Sequence, residues 1–240
     1  MDTLIRVSIV IPCHQDEQPL GRLLSDLRSL GESVQEILVV DAAGSSKCQE
    51  LCRQYEAVYM SSSPCRGAQL RAGAAKATGE VLWFLHADAR LSGNPLAAID
   101  QAFMSGGIGG FFRFRFAGPR PWPAPLLEKA IALRVRFGTP YGDQGIFMSR
   151  EAYLETGGFP AWPLFEEVPL VRKLRQQGRF IGLKQAILVD PRKWNHEGWW
   201  RRTWKNRLLA TAFALGIPPK HLAGLYHTAS RQPKNKEISR

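Results

Sequence analysis

Two apolar runs early in the chain stop abruptly at a carboxylate, and strand and helix signals alternate around them in a pattern that few folds accommodate. Ile37-Leu38-Val39-Val40 ends at Asp41, and Val81-Leu82-Trp83-Phe84-Leu85 ends at His86-Ala87-Asp88. Uniformly apolar runs of this length fit strands buried on both faces of a parallel sheet, and such sheets bind ligands at the strands' carboxyl ends. The first run, from Leu4 to Ile11, closes at Pro12-Cys13 and precedes a helical stripe of Leu20, Leu23, Leu24, Leu27 and Leu30 that Gly31 stops. A short helix through Leu51, a strand Ala57–Met60 and a helix from Gln69 to Ala77 fill the interval before Val81. This βαβαβαβ order predicts parallel strands with right-handed crossovers. If the strand holding Val81 continues, His86 and Asp88 lie on one side of it. A carboxylate beside an imidazole can hold a divalent cation, and the cation a diphosphate; the alternative for Asp88 is a helix or turn cap.

Beyond Asp88 the pattern changes. A helix from Leu96 to Phe103 leads to Ser105-Gly106-Gly107-Ile108-Gly109-Gly110, read as a bend, and then to the alternating strand Phe111–Phe116. These glycines make no phosphate loop, because no Gly-Lys-Ser/Thr follows. A proline-rich loop, Pro119–Pro125, precedes an amphipathic helix over Leu126–Phe137. Tyr141-Gly142-Asp143-Gln144-Gly145 then leads into an apolar strand, Phe165-Glu166-Glu167 opens a helix running to Gly178, and Ala186–Val189 forms a last strand.

The net charge of +11 is concentrated at the C-terminus, where eleven Lys and Arg from Arg192 onward face only Glu197 and Glu237. Trp194, Trp199, Trp200 and Trp204 are interleaved with these charges, which suits the segment to anionic lipid headgroups or nucleic acid. Trp200, Trp204, Leu208 and Leu215 fall near one helical stripe that either rests on a membrane or packs on the rest of the protein. No window offers the roughly 18 apolar residues of a membrane span. The opening run, interrupted by Arg6 and Ser8, reads as a first strand and not a signal peptide. Cys13, Cys48, Cys52 and Cys65 lack C-x-x-C spacing and read as buried residues of a reduced cytoplasmic protein, with Cys48 and Cys52, one helical turn apart, as an alternative metal or reactive pair.

Four segments taken in order resemble the family 2 glycosyltransferases. Ile9-Val10-Ile11-Pro12-Cys13-His14-Gln15-Asp16 is similar to that family's opening strand, and Leu38-Val39-Val40-Asp41 to its second, whose acid recognises the nucleotide. Arg66-Gly67 through Gly79-Glu80 leads to His86-Ala87-Asp88 at the position of the D-x-D metal motif, and Phe165-Glu166-Glu167 stands at the acidic pair. Gly142-Asp143-Gln144-Gly145 and Pro191-Arg192-Lys193-Trp194 further resemble a small bacterial subgroup, some of whose members are associated with arsenosugar biosynthesis.

The resemblance implies an α/β fold of GT-A type, a Rossmann-like mostly parallel sheet flanked by helices, with a basic helical segment at the C-terminus. Residues 1–191 would form the glycosyltransferase domain, 1–90 its nucleotide-binding half and 91–191 its acceptor half, with 192–240 packed on the same domain. It implies an inverting transfer from a nucleotide sugar, a UDP- or GDP-sugar, to a hydroxyl acceptor, either a small molecule or lipid-linked. Mn²⁺ or Mg²⁺ would be held by Asp88, with His86 replacing the motif's first acid and touching the metal or the phosphate. Pro12, Asp16 and Asp41 would border the nucleotide, and Arg66, Arg71 and Arg192 would clamp the diphosphate. Glu167 matches the proposed base, with Glu166 and Asp143 as alternatives. The implied location is cytoplasmic, with peripheral membrane contact through the C-terminal segment open and no nucleic-acid partner expected. Two competing readings are a nucleotidyltransferase, opposed by the acidic, glycine-free loop from Pro12 to Glu17, and a nucleic-acid-binding protein, which leaves the acidic strand ends without a purpose.

Overall fold

The computed structural model describes residues 5–228; Leu4 of the opening run and the end of the basic tail, residues 229–240, lie outside them. Four strands, β1 (Val7–Cys13), β2 (Val34–Asp41), β3 (Val58–Ser61) and β4 (Val81–Phe84), alternate with α1 (Glu17–Arg28), α2 (Ser46–Gln54) and α3 (Arg66–Lys76). They pair in parallel in the order β3-β2-β1-β4, with Cys13 opposite Asp41. The apolar runs bury both faces of this half, and the leucine stripe of α1 packs against one of them. Ser45 caps α2 by accepting a hydrogen bond from the Cys48 amide.

The second half continues the same sheet with β5 (Ala89–Leu91), α4 (Pro95–Met104), β6 (Gly107–Phe116), α5 (Pro123–Phe137), β7 (Phe147–Ser149), α6 (Arg150–Glu155), α7 (Glu167–Gln177) and β8 (Arg179–Val189). The eight strands run β3-β2-β1-β4-β7-β6-β8-β5, and β7 lies antiparallel between β4 and β6. Three helices follow, α8 (Arg192–Glu197), α9 (Trp199–Ala214) and α10 (Pro219–Thr228). Trp194 and Trp199 pack on Phe116, and Phe213 stacks on Phe165 at 4.7 Å, so this segment lies against the sheet domain. No helix among the described residues is long and apolar enough to cross a membrane.

Several expectations change. The strand through Val81 stops at Phe84, and His86-Ala87-Asp88 forms a turn closed by the Ala89 amide donating to the His86 carbonyl at 3.0 Å. Gly107, Gly109 and Gly110 are inside β6 and not a bend: a Cβ at Gly109 would lie 2.6 Å from the Phe147 carbonyl oxygen, so the close approach of β7 excludes a side chain there. Helix α5 begins within the proline-rich stretch, with Pro123 in its first turn, where a missing amide hydrogen costs nothing. The stripe of Trp200, Trp204, Leu208 and Leu215 faces solvent, and α9 packs instead through Leu209 and Phe213.

Candidate active site

The turn at His86-Ala87-Asp88 and four other segments converge on a cavity of about 220 Å³. Arg66 reaches it from the first turn of α3, Gly142 and Asp143 from a 3₁₀ turn, Glu167 from the start of α7, and Lys193 from α8. Apolar side chains of α5 and α9 close the far side.

The two glutamates differ sharply although adjacent. Glu166 is 1% exposed, and the Arg66 guanidinium donates to both of its oxygens, through Nε to Oε1 and through Nη2 to Oε2 at 2.9 Å. Glu167, equally buried, receives the Gly142 amide at 3.4 Å on Oε1, with Arg66 Nη2 3.6 Å from Oε2. Its Oε2 has no hydrogen-bond partner. Burial, reinforced by the neighbouring Glu166 charge, pushes the Glu167 carboxyl up to about 8. Asp143 is similar: its Oδ1 is buried without a partner, and burial raises its carboxyl above the ordinary range.

His86 presents a buried Nε2 that also lacks a partner. Burial, then the positive charge of Arg66, lowers the imidazole to about 4, so it is neutral at physiological pH. Gly142 sits against it, and a Cβ there would come 2.7 Å from that nitrogen. Asp88 faces two cations, Arg192 Nη2 at 3.6 Å and Lys193 Nζ at 4.0 Å. The same Arg192 nitrogen donates to Asp16 Oδ1 at 2.5 Å, so one guanidinium spans both acids. Asp16 is raised chiefly by burial, against the lowering pull of Arg192.

At the carboxyl ends of the parallel strands, Asp41 is the last residue of β2 and Pro12 the penultimate residue of β1. Asp41 is buried, and its carboxylate accepts from the amides of Ala43 at 3.0 Å and Ser45 at 2.7 Å and from the Tyr59 hydroxyl at 3.2 Å, which shapes the loop after β2. Gln69 ties the ends of β1 and β2 together by donating to the carbonyls of Cys13 and Val40. Among the described residues, Cys13, Asp41 and Cys48 are the only three metal-ligating groups within 4.8 Å of one another; Cys52, on the same face of α2, is also buried, and all four cysteines are free. Arg71 is not brought to the cavity: it is exposed and lines a separate depression beside Gly158 and Lys173. Sequence reasoning missed Arg134, whose guanidinium lies 3.8 Å over the Tyr141 ring with an unpartnered buried Nε, and Lys193, which adjoins the flagged Arg192. No motif marks Arg134, because a helix interior carries arginines for many reasons.

Residues 8–157 match the family Glycosyl transferase family 2, more than half of the chain. The chain belongs to that family. Among solved structures, it is similar to mannosyltransferase PcManGT from Pyrobaculum calidifontis, solved with GDP-Man and Mn²⁺, at 18% identity and TM-score 0.63 over 95% of this chain and 70% of that one. Glucosyl-3-phosphoglycerate synthase from Mycobacterium tuberculosis, solved with Mn²⁺, UDP and glucosyl-3-phosphoglycerate, gives 18% identity and TM-score 0.59 over 89% and 81%. TarS from S. aureus gives 14% identity and TM-score 0.55 over 78% of this chain but only 35% of its own length. No curated protein matches. The fold is the GT-A type, and family membership makes the protein a glycosyltransferase.

Proposed function

We propose that the protein is an inverting, metal-dependent glycosyltransferase that moves a sugar from a UDP- or GDP-sugar to a hydroxyl acceptor. The observation that carries this reading is the shared cavity, in which the unpartnered oxygens of Glu167 and Asp143 and the unpartnered nitrogen of His86 converge beside Asp88. Buried polar atoms without partners are costly, and several facing one cavity are a mark of a bound ligand. The neighbours solved with Mn²⁺ and a UDP or GDP moiety support the donor class and the cation.

In this reading Asp88 and His86 hold the divalent cation, a neutral imidazole beside a carboxylate being a fitting pair for Mn²⁺. When bound, the cation neutralises charge developing on the departing diphosphate. Arg192 and Lys193 move from Asp88 toward the phosphates, and Pro12, Asp16 and Asp41 border the nucleoside. Glu167 Oε2 accepts the acceptor's hydroxyl proton as that oxygen attacks the anomeric carbon from the face opposite the diphosphate, and the bond from that carbon to the phosphate oxygen breaks. Its raised pKa strengthens it as a base once ionised. Glu166 is held by Arg66 and keeps that guanidinium in place, and Asp143 is the second candidate for the base. Residues 1–90 and 91–191 then serve donor and acceptor, with α8–α10 completing the acceptor side.

Peripheral membrane contact through Trp200, Trp204, Leu208 and Leu215, beside the exposed Arg201 and Arg207, belongs to the same reading. A thermal-shift screen of UDP-, GDP- and CDP-sugars with and without Mn²⁺ tests the donor and cation together, because a ligand of the folded state raises its stability. A Mn²⁺-dependent shift with one nucleotide class is expected; no shift with any of them overturns the reading.

A further inference from the structure

The lining of the cavity beside Glu167 is of two chemically distinct kinds. In one part, His86 Nε2, Asp143 Oδ1, Glu167 Oε2 and Arg134 Nε are all buried without hydrogen-bond partners. The other is walled by members of two separate apolar clusters, Phe116, Leu127 and Trp194 from one and Leu164, Phe165 and Leu209 from the second, with Thr203 and Asn206 of α9 as polar neighbours. The apolar part lies between α5 and α9, whose N-terminal ends are bridged on the surface by Trp122 and Trp200, with ring centroids 5.6 Å apart.

A wholly polar acceptor fits only half of this space. A free sugar or a polyol filling it would press hydroxyls against Phe116, Leu127 and Leu209, which cannot receive them, and each such unmet group costs about 1–3 kcal/mol. A wholly apolar molecule would leave the four orphaned atoms unmet. We infer that the acceptor is an amphiphile: an alcohol whose hydroxyl meets Glu167 and whose hydrocarbon or aromatic body lies between α5 and α9. This rests on the glycosyl-transfer reading and adds to it the class of molecule that receives the sugar.

The test is binding, read by calorimetry, of octyl β-D-glucoside below its micelle concentration against methyl β-D-glucoside, with UDP and GDP plus Mn²⁺ titrated in parallel. The octyl compound is expected to bind at least about tenfold more tightly, the effect of burying roughly two methylenes. Ala130→Trp and Ala210→Trp, each placing an indole in the apolar part from a different helix, should each erase that preference while keeping nucleotide binding. Equal affinity for the two glucosides, or a preference that survives both substitutions, overturns the inference. If the wild-type protein ignores UDP and GDP yet keeps the octyl preference, the donor reading fails and the amphiphile site stands. Vesicles carrying dioleoylglycerol separate the sources: displacement of octyl glucoside points to a membrane lipid, and no displacement to a soluble alcohol, both upholding the class.

Discussion

The Arg66 guanidinium forks onto both carboxylate oxygens of Glu166, a hundred residues further along the chain, and by doing so leaves Glu167 as the glutamate with an oxygen to offer. Glu167→Gln should therefore reduce transfer by roughly 10²–10⁴-fold with donor affinity unchanged. Glu166→Gln should instead strip Arg66 of a charged partner and lower stability by about 1–3 kcal/mol. Steady-state kinetics beside urea unfolding separates the two; a Glu167→Gln enzyme of near wild-type rate would move the base to Asp143.

The raised pKa of Glu167 makes stability depend on pH in a definite direction. Its folded value of about 8 exceeds the ordinary 4.5, so the neutral carboxyl favours folding. That contribution is complete below about 4.5 and is lost as pH rises toward 8, by at most about 1.4 kcal/mol per unit. Melting temperature of the wild type should fall relative to Glu167→Gln between pH 5 and 8 and run parallel above it. For activity the sign reverses: kcat/KM should climb with pH and level off above about 8, and the residual rate of Glu167→Gln should lack that limb.

Asp88→Asn should leave the fold intact, because the carboxylate pairs only with the partly exposed Arg192 and Lys193. Mn²⁺-dependent binding of a nucleoside diphosphate should weaken on the order of 100-fold or more. Calorimetry in Mn²⁺ and in chelator is the check, and equal affinities for variant and wild type would remove Asp88 from the cation site.

Gly142→Ala places a methyl 2.7 Å from His86 Nε2, and the imidazole must turn away. Loss of Mn²⁺-dependent binding with little change in melting temperature is the expected result, since the turn is at the cavity wall. Unaltered Mn²⁺ dependence would show that His86 does not serve the cation.

Trp204 and Leu208 are 68% and 66% exposed on α9. Co-sedimentation with phosphatidylglycerol vesicles should be measurable at low salt, weaken as salt rises, and fall several-fold in Trp204→Ala with Leu208→Ala. Equal sedimentation of variant and wild type would assign those side chains no part in membrane contact.

The parallel half of the sheet was legible because its signals are local: an apolar run, a helical stripe and a carboxylate at the run's end each occupy a few adjacent residues. β6 was half legible, since Phe111–Phe116 alternate but the need for Gly109 arises from β7, almost forty residues away. Asp88, Asp143 and Glu167, the acids that line the cavity, all stand in motifs that the sequence singles out. What distinguishes Glu166 from Glu167 was beyond reach, because it depends on where Arg66 points. For the same reason Arg71 looked equal to Arg66 until the fold sent it to another surface.

Arg66 and its neighbour Gly67 together fasten one half of the protein to the other. Gly67 donates its amide to the Trp162 carbonyl at 2.9 Å, and a Cβ there would meet that same oxygen at 2.8 Å, while Arg66 reaches into the next turn to hold Glu166. A backbone tie with no clearance and a charged fork, on successive residues, leave no slack for a hinge. The seam is closed at Gly67 and Arg66, and the turn around Gly142 and the helices that carry Lys193 and Leu209 border the cavity without taking part in that tie.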